Sequence, residues 1–209
     1  MDERFATKKV RNIYKKIEAI DEVAGKFTLS MIIYSSNIIK AMDILDNADT
    51  EFKKGKMLYQ HNLMYMRMLI DCCTELQAVL LINKKERYYS NYFAGNETNQ
   101  LKIGKQALTK AFLIEELDKV FEGIKDIYKE CCNWIHPSKA TIVRVGKYRK
   151  RREEYIGYRG RTYTKMKKEK EDILKDFEYC VDILYTLLRT LMLYYIRTEK
   201  ATESESTKA

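Results

Sequence analysis

The feature that most constrains this chain is an apolar, helix-periodic stretch that no glycine or proline interrupts. It runs from Lys56 to about Ile82, which predicts a helix of about 40 Å at 1.5 Å per residue. A second such stretch runs from Lys165 to about Arg197, with Thr164 as its predicted N-cap. One proline and eight glycines in 209 residues are too few to punctuate a many-stranded sheet. We therefore predict an all-α, up-and-down bundle of four to six helices, two of them long.

Shorter patterns complete the predicted bundle. An amphipathic helix opens the chain, and a further apolar-periodic stretch begins at Lys110 after the N-cap candidate Thr109. That stretch has a candidate break at Gly123 and ends at His136, because Pro137 disfavours the α conformation before it. Residues 83–107 are less regular, and residues 140–163 predict either a small β-hairpin or an irregular loop. The core positions predicted for the first and last helices are Val10, Ile13, Tyr14, Ile17 and Ile20, then Ile173, Leu174, Phe177, Val181, Leu184, Leu188, Leu191 and Tyr195.

Length and hydropathy predict one soluble domain. A chain of 209 residues favours a single core, here residues 1–198, followed by a polar tail at 199–209 that we expect to be disordered. The first residues, MDERFATKKV, lack the apolar stretch of a secretion signal. The most apolar run, Cys180 to Ile196, contains Asp182 and Arg189, which is typical of a buried helix. We expect a cytoplasmic protein without a membrane span.

The cysteines indicate buried thiols and no metal site. They occur as Cys72-Cys73, Cys131-Cys132 and Cys180, without the C-x-x-C spacing of zinc sites. Adjacent helical residues point about 100° apart, so each pair directs its two thiols differently. With two histidines in the chain, a transition-metal site is not expected either, and we predict no cofactor.

The excess positive charge is concentrated in residues 140–170. This basic segment holds twelve Lys or Arg against three Glu, a net +9 that equals the formal net charge of the whole chain. Tyrosines are interleaved with the charges, a mixture that suits phosphate neutralisation and base stacking. A solvated segment or an arm for an acidic protein partner are the alternatives. The candidate nucleic-acid contacts are Arg144, Lys147, Tyr148, Arg149, Lys150, Arg151, Arg152, Tyr158, Arg159 and Arg161.

A candidate catalytic group lies just before the basic segment. His136 sits in the tetrapeptide IHPS, and Lys129 and Asn133 precede it by seven and three residues, on the same helical face. The negative end of a helix dipole favours imidazolium, which suits general acid/base work on a phosphate ester. The structural alternative is a helix C-cap in which His136 and Ser138 satisfy the last carbonyls.

A polar stripe crosses the apolar helix at 56–82. Gln60, Arg67, Asp71 and Thr74 fall on one face, and Arg67 and Asp71 are spaced i, i+4. An ordinary salt bridge and a functional pair are both consistent with this spacing. His61 points about 120° away from Arg67 and we treat it as unrelated.

These last two features together resemble the HEPN-like helical superfamily. Its bacterial and phage-defence members carry an Arg-x-x-x-acid helix and a Tyr-x-x-x-(Cys/Ser)-x-x-(Val/Ile)-His-Pro-Ser helix end, matched here by MRMLIDCC and DIYKECCNWIHPSK between about Gln60 and Lys139. The resemblance implies a four- or five-helix bundle, often dimeric. In active members it also implies metal-independent RNA cleavage by an Arg and a His with four to six residues between them. Lys129 holds that Arg position here, and Arg67 is a candidate substitute from the neighbouring helix.

These patterns are consistent with two main kinds of function. One is a ribonuclease of phage defence or a toxin, with RNA as substrate and an antitoxin as a candidate partner. The other is a non-catalytic module of a defence system that binds nucleic acid or protein, and a small anionic ligand such as a nucleotide is a weaker third reading. The candidate catalytic residues are His136, Lys129, Arg67, Asp71 and Asn133.

Overall fold

The computed structural model describes residues 8–24, 42–43, 59–82, 85–135 and 161–206. Over these residues the chain is 84% helical, which confirms the predicted all-α class with a small hairpin. The described elements are α1 (Lys8–Ala24), α2 (Tyr59–Leu81), α3 (Lys85–Phe93), a 3₁₀ turn (Thr98–Gln100), β1 (Lys102–Ile103), β2 (Gln106–Ala107), α4 (Lys110–Val120), α5 (Ile124–Ile135) and α6 (Arg161–Ser206).

The core forms where α2 packs against α4, α5 and α6, and α1 also packs against α6. On α6 the apolar residues recur every three or four positions, so a continuous stripe faces inward. The predicted core of α6 is confirmed, with Leu174 partly exposed at its edge. The fully buried members of this stripe include Phe177, Val181, Leu184, Leu188 and Leu191.

The amphipathic first helix is also confirmed. Val10, Ile13 and Ile17 are buried on one face of α1, and Tyr14 and Ile20 pack at its edges. Polar contacts add to this packing on the α6 side. Lys9 forms an ion pair with Asp182, and the Lys16 ammonium lies 5.3 Å from the centroid of the Tyr185 ring. The lysines of α1 therefore border its apolar face rather than interrupt it.

The break between α4 and α5 lies at Gly123, as the sequence predicts. Gly123 has a φ of +91°, a conformation that glycine adopts without a steric penalty. The Asp118 carboxylate accepts hydrogen bonds from the backbone N–H groups of Gly123 and Lys125, at 3.1 and 3.0 Å. The predicted N-cap Thr109 is confirmed as well, because its hydroxyl accepts from the Phe112 backbone N–H at 3.3 Å. These local contacts fix the start of α4 and the break between α4 and α5.

Two predicted boundaries are wrong. The last helix begins at Arg161 rather than after an N-cap at Thr164, and it continues to Ser206 instead of ending near Arg197. Residues 161–206 contain neither glycine nor proline, and Glu, Lys and Ala in the last turns are good helix formers. Of the predicted hairpin or loop at 140–163, residues 161–163 are therefore helical, and residues 140–160 lie outside the described part.

The observed hairpin lies elsewhere, at residues 102–107. Lys102 pairs with Ala107 and Ile103 with Gln106, which leaves a two-residue turn of Gly104 and Lys105. Gly104 has a φ of +59°, as the first central position of a type II′ turn requires.

One helical stretch, Asp172–Arg197, is long and apolar enough by composition to cross a membrane. Half of its most apolar window is buried inside the protein, where it forms the core with α1 and α2. This burial is consistent with a core helix of a soluble protein.

Candidate functional site

The polar stripe of α2 contains an ion pair at the edge of the core. The Arg67 Nε donates to both carboxylate oxygens of Asp71, at 3.2 and 3.1 Å. The predicted i, i+4 pair is thus formed, with 18% of the Arg67 side chain exposed. One turn further, the buried Thr74 hydroxyl donates to the Asp71 backbone carbonyl at 2.7 Å.

A lysine from α4 joins the same carboxylate. The Lys110 ammonium lies 2.9 Å from Asp71 Oδ1 and donates to the Thr74 hydroxyl at 2.8 Å. Lys110 is the first residue of α4, directly after the cap at Thr109, so the helix start holds its backbone in place. Asp71 is therefore shared by two cations, and the three ionised groups carry a net charge of +1.

On its other side, Arg67 contacts α5. Its Nη1 donates to the Cys132 sulfur at 2.6 Å, and its guanidinium carbon lies 4.2 Å from the centroid of the Tyr128 ring. Tyr128 and Cys132 are one turn apart on α5 and so share a face. We name this group the Arg67 cluster; its members are Arg67, Asp71, Thr74, Lys110, Tyr128 and Cys132.

The protonation states in the cluster follow from partial burial and its charges. Burial acts to lower the pKa of Arg67, but Asp71, Tyr128 and Cys132 together outweigh it, so the pKa rises and the guanidinium stays charged. Burial raises the pKa of Tyr128 to about 12, against the opposing effect of Arg67. The ring is therefore a neutral phenol near neutral pH, with its face available to the cation.

Part of the Arg67 guanidinium remains uncommitted. Its Nε and Nη1 serve Asp71 and Cys132, whereas Nη2 has no acceptor among the described residues. The Lys110 side chain is 40% exposed, so the cluster is open to solvent on that side. The cluster is positively charged and partly exposed, and it has N–H groups on Nη2 that serve no described residue. It can therefore bind an oxyanion such as a phosphate.

The other predicted catalytic residues of α5 lie on a different side of the helix. Lys129 is exposed and pairs with Asp126 on its own helix at 3.3 Å, and Asn133 is exposed as well. Lys129 follows Tyr128 by one position, which turns it about 100° away from the face that meets Arg67. His136 lies outside the described residues, one position beyond the end of α5.

The basic segment is described only at its C-terminal end. Of its candidate nucleic-acid contacts, Arg161 is the first residue of α6, and the side chains of 161–171 are not among those described. Arg144, Lys147, Tyr148, Arg149, Lys150, Arg151, Arg152, Tyr158 and Arg159 lie outside the described residues, as do the side chains of Gln60 and His61.

Lys110, Tyr128 and Cys132 were not among the predicted site residues. Tyr128 and Cys132 occupy the Tyr and Cys positions of the motif that carries the HEPN-like resemblance, and their i, i+4 spacing was the available signal. Lys110 has no such signal, because its contact with Asp71 depends on how α4 packs against α2.

All five cysteines are free thiols, and four of them are buried, as predicted. Cys132 is the exception, partly exposed beside Arg67. Within the described ranges, no group of three or more His, Cys, Asp or Glu side chains could hold a metal ion.

No protein-family model, curated protein or solved structure matches this chain. The fold and the cluster define an all-α protein with an arginine-centred polar site between α2, α4 and α5. The HEPN-like resemblance rests on the motif residues alone and stays a prediction.

Proposed function

We propose that this protein binds RNA and that the Arg67 cluster is the phosphate-binding centre of a metal-independent endoribonuclease site of the HEPN-like type. In this proposal His136 moves the proton, and the basic segment at 140–170 holds the RNA. Such a protein would act in the cytoplasm, as a toxin or in phage defence.

One observation carries the proposal: Arg67 reaches from α2 to α5, the helix whose sequence leads directly into IHPS. Its contacts with Tyr128 and Cys132 lie on the α5 face that meets α2. A guanidinium suits this role because it stays charged, and the N–H groups of Nη2, which serve no described residue, can donate to a phosphate oxygen. This supports Arg67, rather than Lys129, as the residue that replaces the Arg of the motif.

The chemistry needs no metal. In RNA the 2′-hydroxyl can attack the adjacent phosphorus once a base takes its proton, and the 5′-oxygen leaves as an alcohol once it receives a proton. An imidazole can serve in this proton transfer at neutral pH. Arg67 and Lys110 would stabilise the charge that develops on the phosphate oxygens.

The test is cleavage of varied RNAs by the purified protein in the presence of EDTA. We expect products that end in a 2′,3′-cyclic phosphate, and no cleavage of DNA of the same sequence. His136→Ala should abolish activity, and Arg67→Ala should lower it by at least tenfold. Arg189→Ala, at an exposed arginine on α6, is the matched control and should cut like wild type. Intact RNAs, or full activity in His136→Ala, would contradict the enzyme.

A non-catalytic RNA-binding function is the second candidate, favoured by the ion pairs at the site. Lys129 is paired with Asp126, and Arg67 shares its charge with Asp71, so neither cation is unneutralised. In that case the basic segment carries the whole function. Binding should then be salt-sensitive, should survive His136→Ala, and should collapse when Arg149 to Arg152 are neutralised.

A further inference from the structure

The end of α3 presents two exposed aromatic rings. Tyr92 and Phe93 are the last two residues of the helix, and they are 44% and 57% exposed. Their ring centroids lie 6.2 Å apart at an interplanar angle of 85°. Ile103, on the hairpin that follows in the chain, is exposed as well. Two adjacent exposed rings in contact with each other form a small apolar patch, and such patches are often binding sites.

The exposed rings are supported by buried aromatic neighbours. Tyr92 stacks on Tyr88, with centroids 6.4 Å apart and an interplanar angle of 21°, and Tyr88 is itself buried. The Tyr88 hydroxyl is hydrogen-bonded to the Thr98 side chain, and its ring meets Tyr89 edge-on at 6.1 Å. A ring supported in this way keeps its position without a ligand, so binding to it costs little conformational entropy.

The turn after α3 is also fixed by hydrogen bonds. The Gly95 backbone N–H donates to the Tyr92 carbonyl at 3.0 Å, and Gly95 has a φ of +71°, which glycine tolerates. The Asn91 side-chain amide donates to the backbone carbonyls of Asn96 and Glu97, at 3.4 and 3.3 Å. These bonds hold the chain close to the aromatic pair as it leaves the helix.

Positive charge lies on the same part of the chain. Residues 87–107 contain three Lys or Arg and one Glu, and the Glu97 carboxylate accepts from Asn99 at 2.7 Å. Lys102 and Lys105 on the hairpin are exposed and form no ion pair with another described residue. Lys102 follows Thr98, the residue that contacts the Tyr88 hydroxyl, by four positions, so their Cα atoms lie at most about 14 Å apart, and Lys105 lies in the turn of the same hairpin.

We propose that Tyr92, Phe93, Lys102 and Lys105 form a second contact surface for single-stranded RNA, in which bases stack on the rings and the lysines neutralise phosphates. This aromatic platform rests on the proposed RNA-binding function, and it lies on elements that contribute nothing to the Arg67 cluster. Aromatic side chains combined with positive charge are the usual combination in proteins that bind single strands without sequence preference.

The experiment measures binding of a fluorescein-labelled, unstructured RNA of about 12 nucleotides by fluorescence anisotropy at several salt concentrations. Replacing both rings, Tyr92→Ala with Phe93→Ala, should weaken binding by about tenfold or more and leave the salt dependence unchanged. The pair Lys102→Gln and Lys105→Gln should instead reduce the salt dependence. Tyr92→Trp should retain binding, because stacking needs only an aromatic face.

Two controls separate the outcomes. Val120→Ala removes another exposed apolar side chain, on α4, and should bind like wild type. Duplex RNA cannot stack on the rings, so its affinity should not change in the double alanine variant. If wild type binds the single strand and the double alanine variant binds equally well, the platform is wrong and the proposed function stands. If wild type fails to bind RNA at low salt, the proposed function is wrong and the platform with it.

Discussion

The guanidinium carbon of Arg67 on α2 lies 4.2 Å from the centroid of the Tyr128 ring on α5. The same guanidinium donates to Cys132 one turn further along α5. Arg67 therefore joins two helices through a cation–π contact and a hydrogen bond, while Asp71 holds its other edge. The orientation of the site depends on the packing of α2 against α5.

Replacing Arg67 by lysine should disturb both the site and the stability. The ammonium of the introduced lysine cannot donate to Asp71 and Cys132 while it also covers the Tyr128 ring. We therefore expect a loss of about 1–2 kcal/mol in the free energy of unfolding. Urea unfolding measures this loss. Arg189→Lys on the exposed face of α6 is the control, and an Arg67→Lys midpoint equal to that of wild type would show that the cluster contributes nothing to stability.

Ionisation of Tyr128 should make the protein less stable at alkaline pH. Burial, with contributions from Cys132 and Asp71, raises the pKa of Tyr128 to about 12 from an unfolded value near 10. Its stabilising contribution is therefore fully present below pH 10 and is lost as the pH rises through 12. Burial likewise raises the pKa of Cys131, from about 9 to about 12, which destabilises in the same direction.

Tyr128→Phe tests this linkage. The free energy of unfolding of the variant should fall less steeply between pH 10 and 12 than that of wild type, as measured by urea unfolding at each pH. Tyr92→Phe, at an exposed tyrosine, is the matched control and should follow the wild-type curve. Identical slopes in all three proteins would mean that Tyr128 has the same pKa in the folded and unfolded states.

Much of the fold could be predicted because its signals are local. Apolar spacing identified the buried faces of α1 and α6, and single residues marked the cap at Thr109 and the break at Gly123. The ends of α6 could not be predicted, because its polar turns continue a helix without any breaker. The hairpin at 102–107 could not be predicted either, since strands of two residues are too short to show an alternating pattern.

Only those contacts of the Arg67 cluster that lie within one helix could be predicted from the sequence. The pair of Arg67 and Asp71 follows from i, i+4 spacing, whereas the contacts with Lys110, Tyr128 and Cys132 depend on how three helices pack. Spacing also placed Lys129 and Asn133 on one face of α5, but it could not show that a neighbouring face meets α2.

Cys132 should be the most reactive thiol of the folded protein. It is partly exposed, and the other four cysteines are buried. With Ellman's reagent we expect one thiol per chain to react quickly under native conditions and all five to react in denaturant. Cys132→Ser should abolish the fast phase. Two fast thiols, or none, would contradict the packing of α5 against α2.

A comparison along α6 should separate core from surface leucines. Leu188 is fully buried on α6, the helix that packs against both α1 and α2, whereas Leu193, on the same helix, is 44% exposed. Leu188→Ala should lower the free energy of unfolding by about 2–5 kcal/mol, and Leu193→Ala by less than about 1 kcal/mol. Similar losses in urea unfolding would place α6 in a different rotation about its axis.

Asp118 should help to position the Arg67 cluster, because it holds the start of α5, the helix that carries Tyr128 and Cys132. Its carboxylate accepts from the Gly123 and Lys125 backbone N–H groups, and Tyr179 of α6 donates to the adjacent Glu122 carbonyl at 3.0 Å. Asp118→Ala should cost about 1–2 kcal/mol, and Asp118→Asn less, because the amide oxygen can still accept.

The same variants can report on the Arg67 cluster. A looser start of α5 should expose Cys132, so its reaction with Ellman's reagent should be faster in Asp118→Ala than in Asp118→Asn or wild type. Glu115→Ala is the control, since that exposed carboxylate accepts from the Lys125 side chain rather than from a backbone N–H of the α4–α5 break, and its loss should leave the thiol rate unchanged. Asp118→Ala could instead destabilise the protein while Cys132 reacts at the wild-type rate. In that case the Asp118 hydrogen bonds at the α4–α5 break stabilise the fold but do not position the Arg67 cluster.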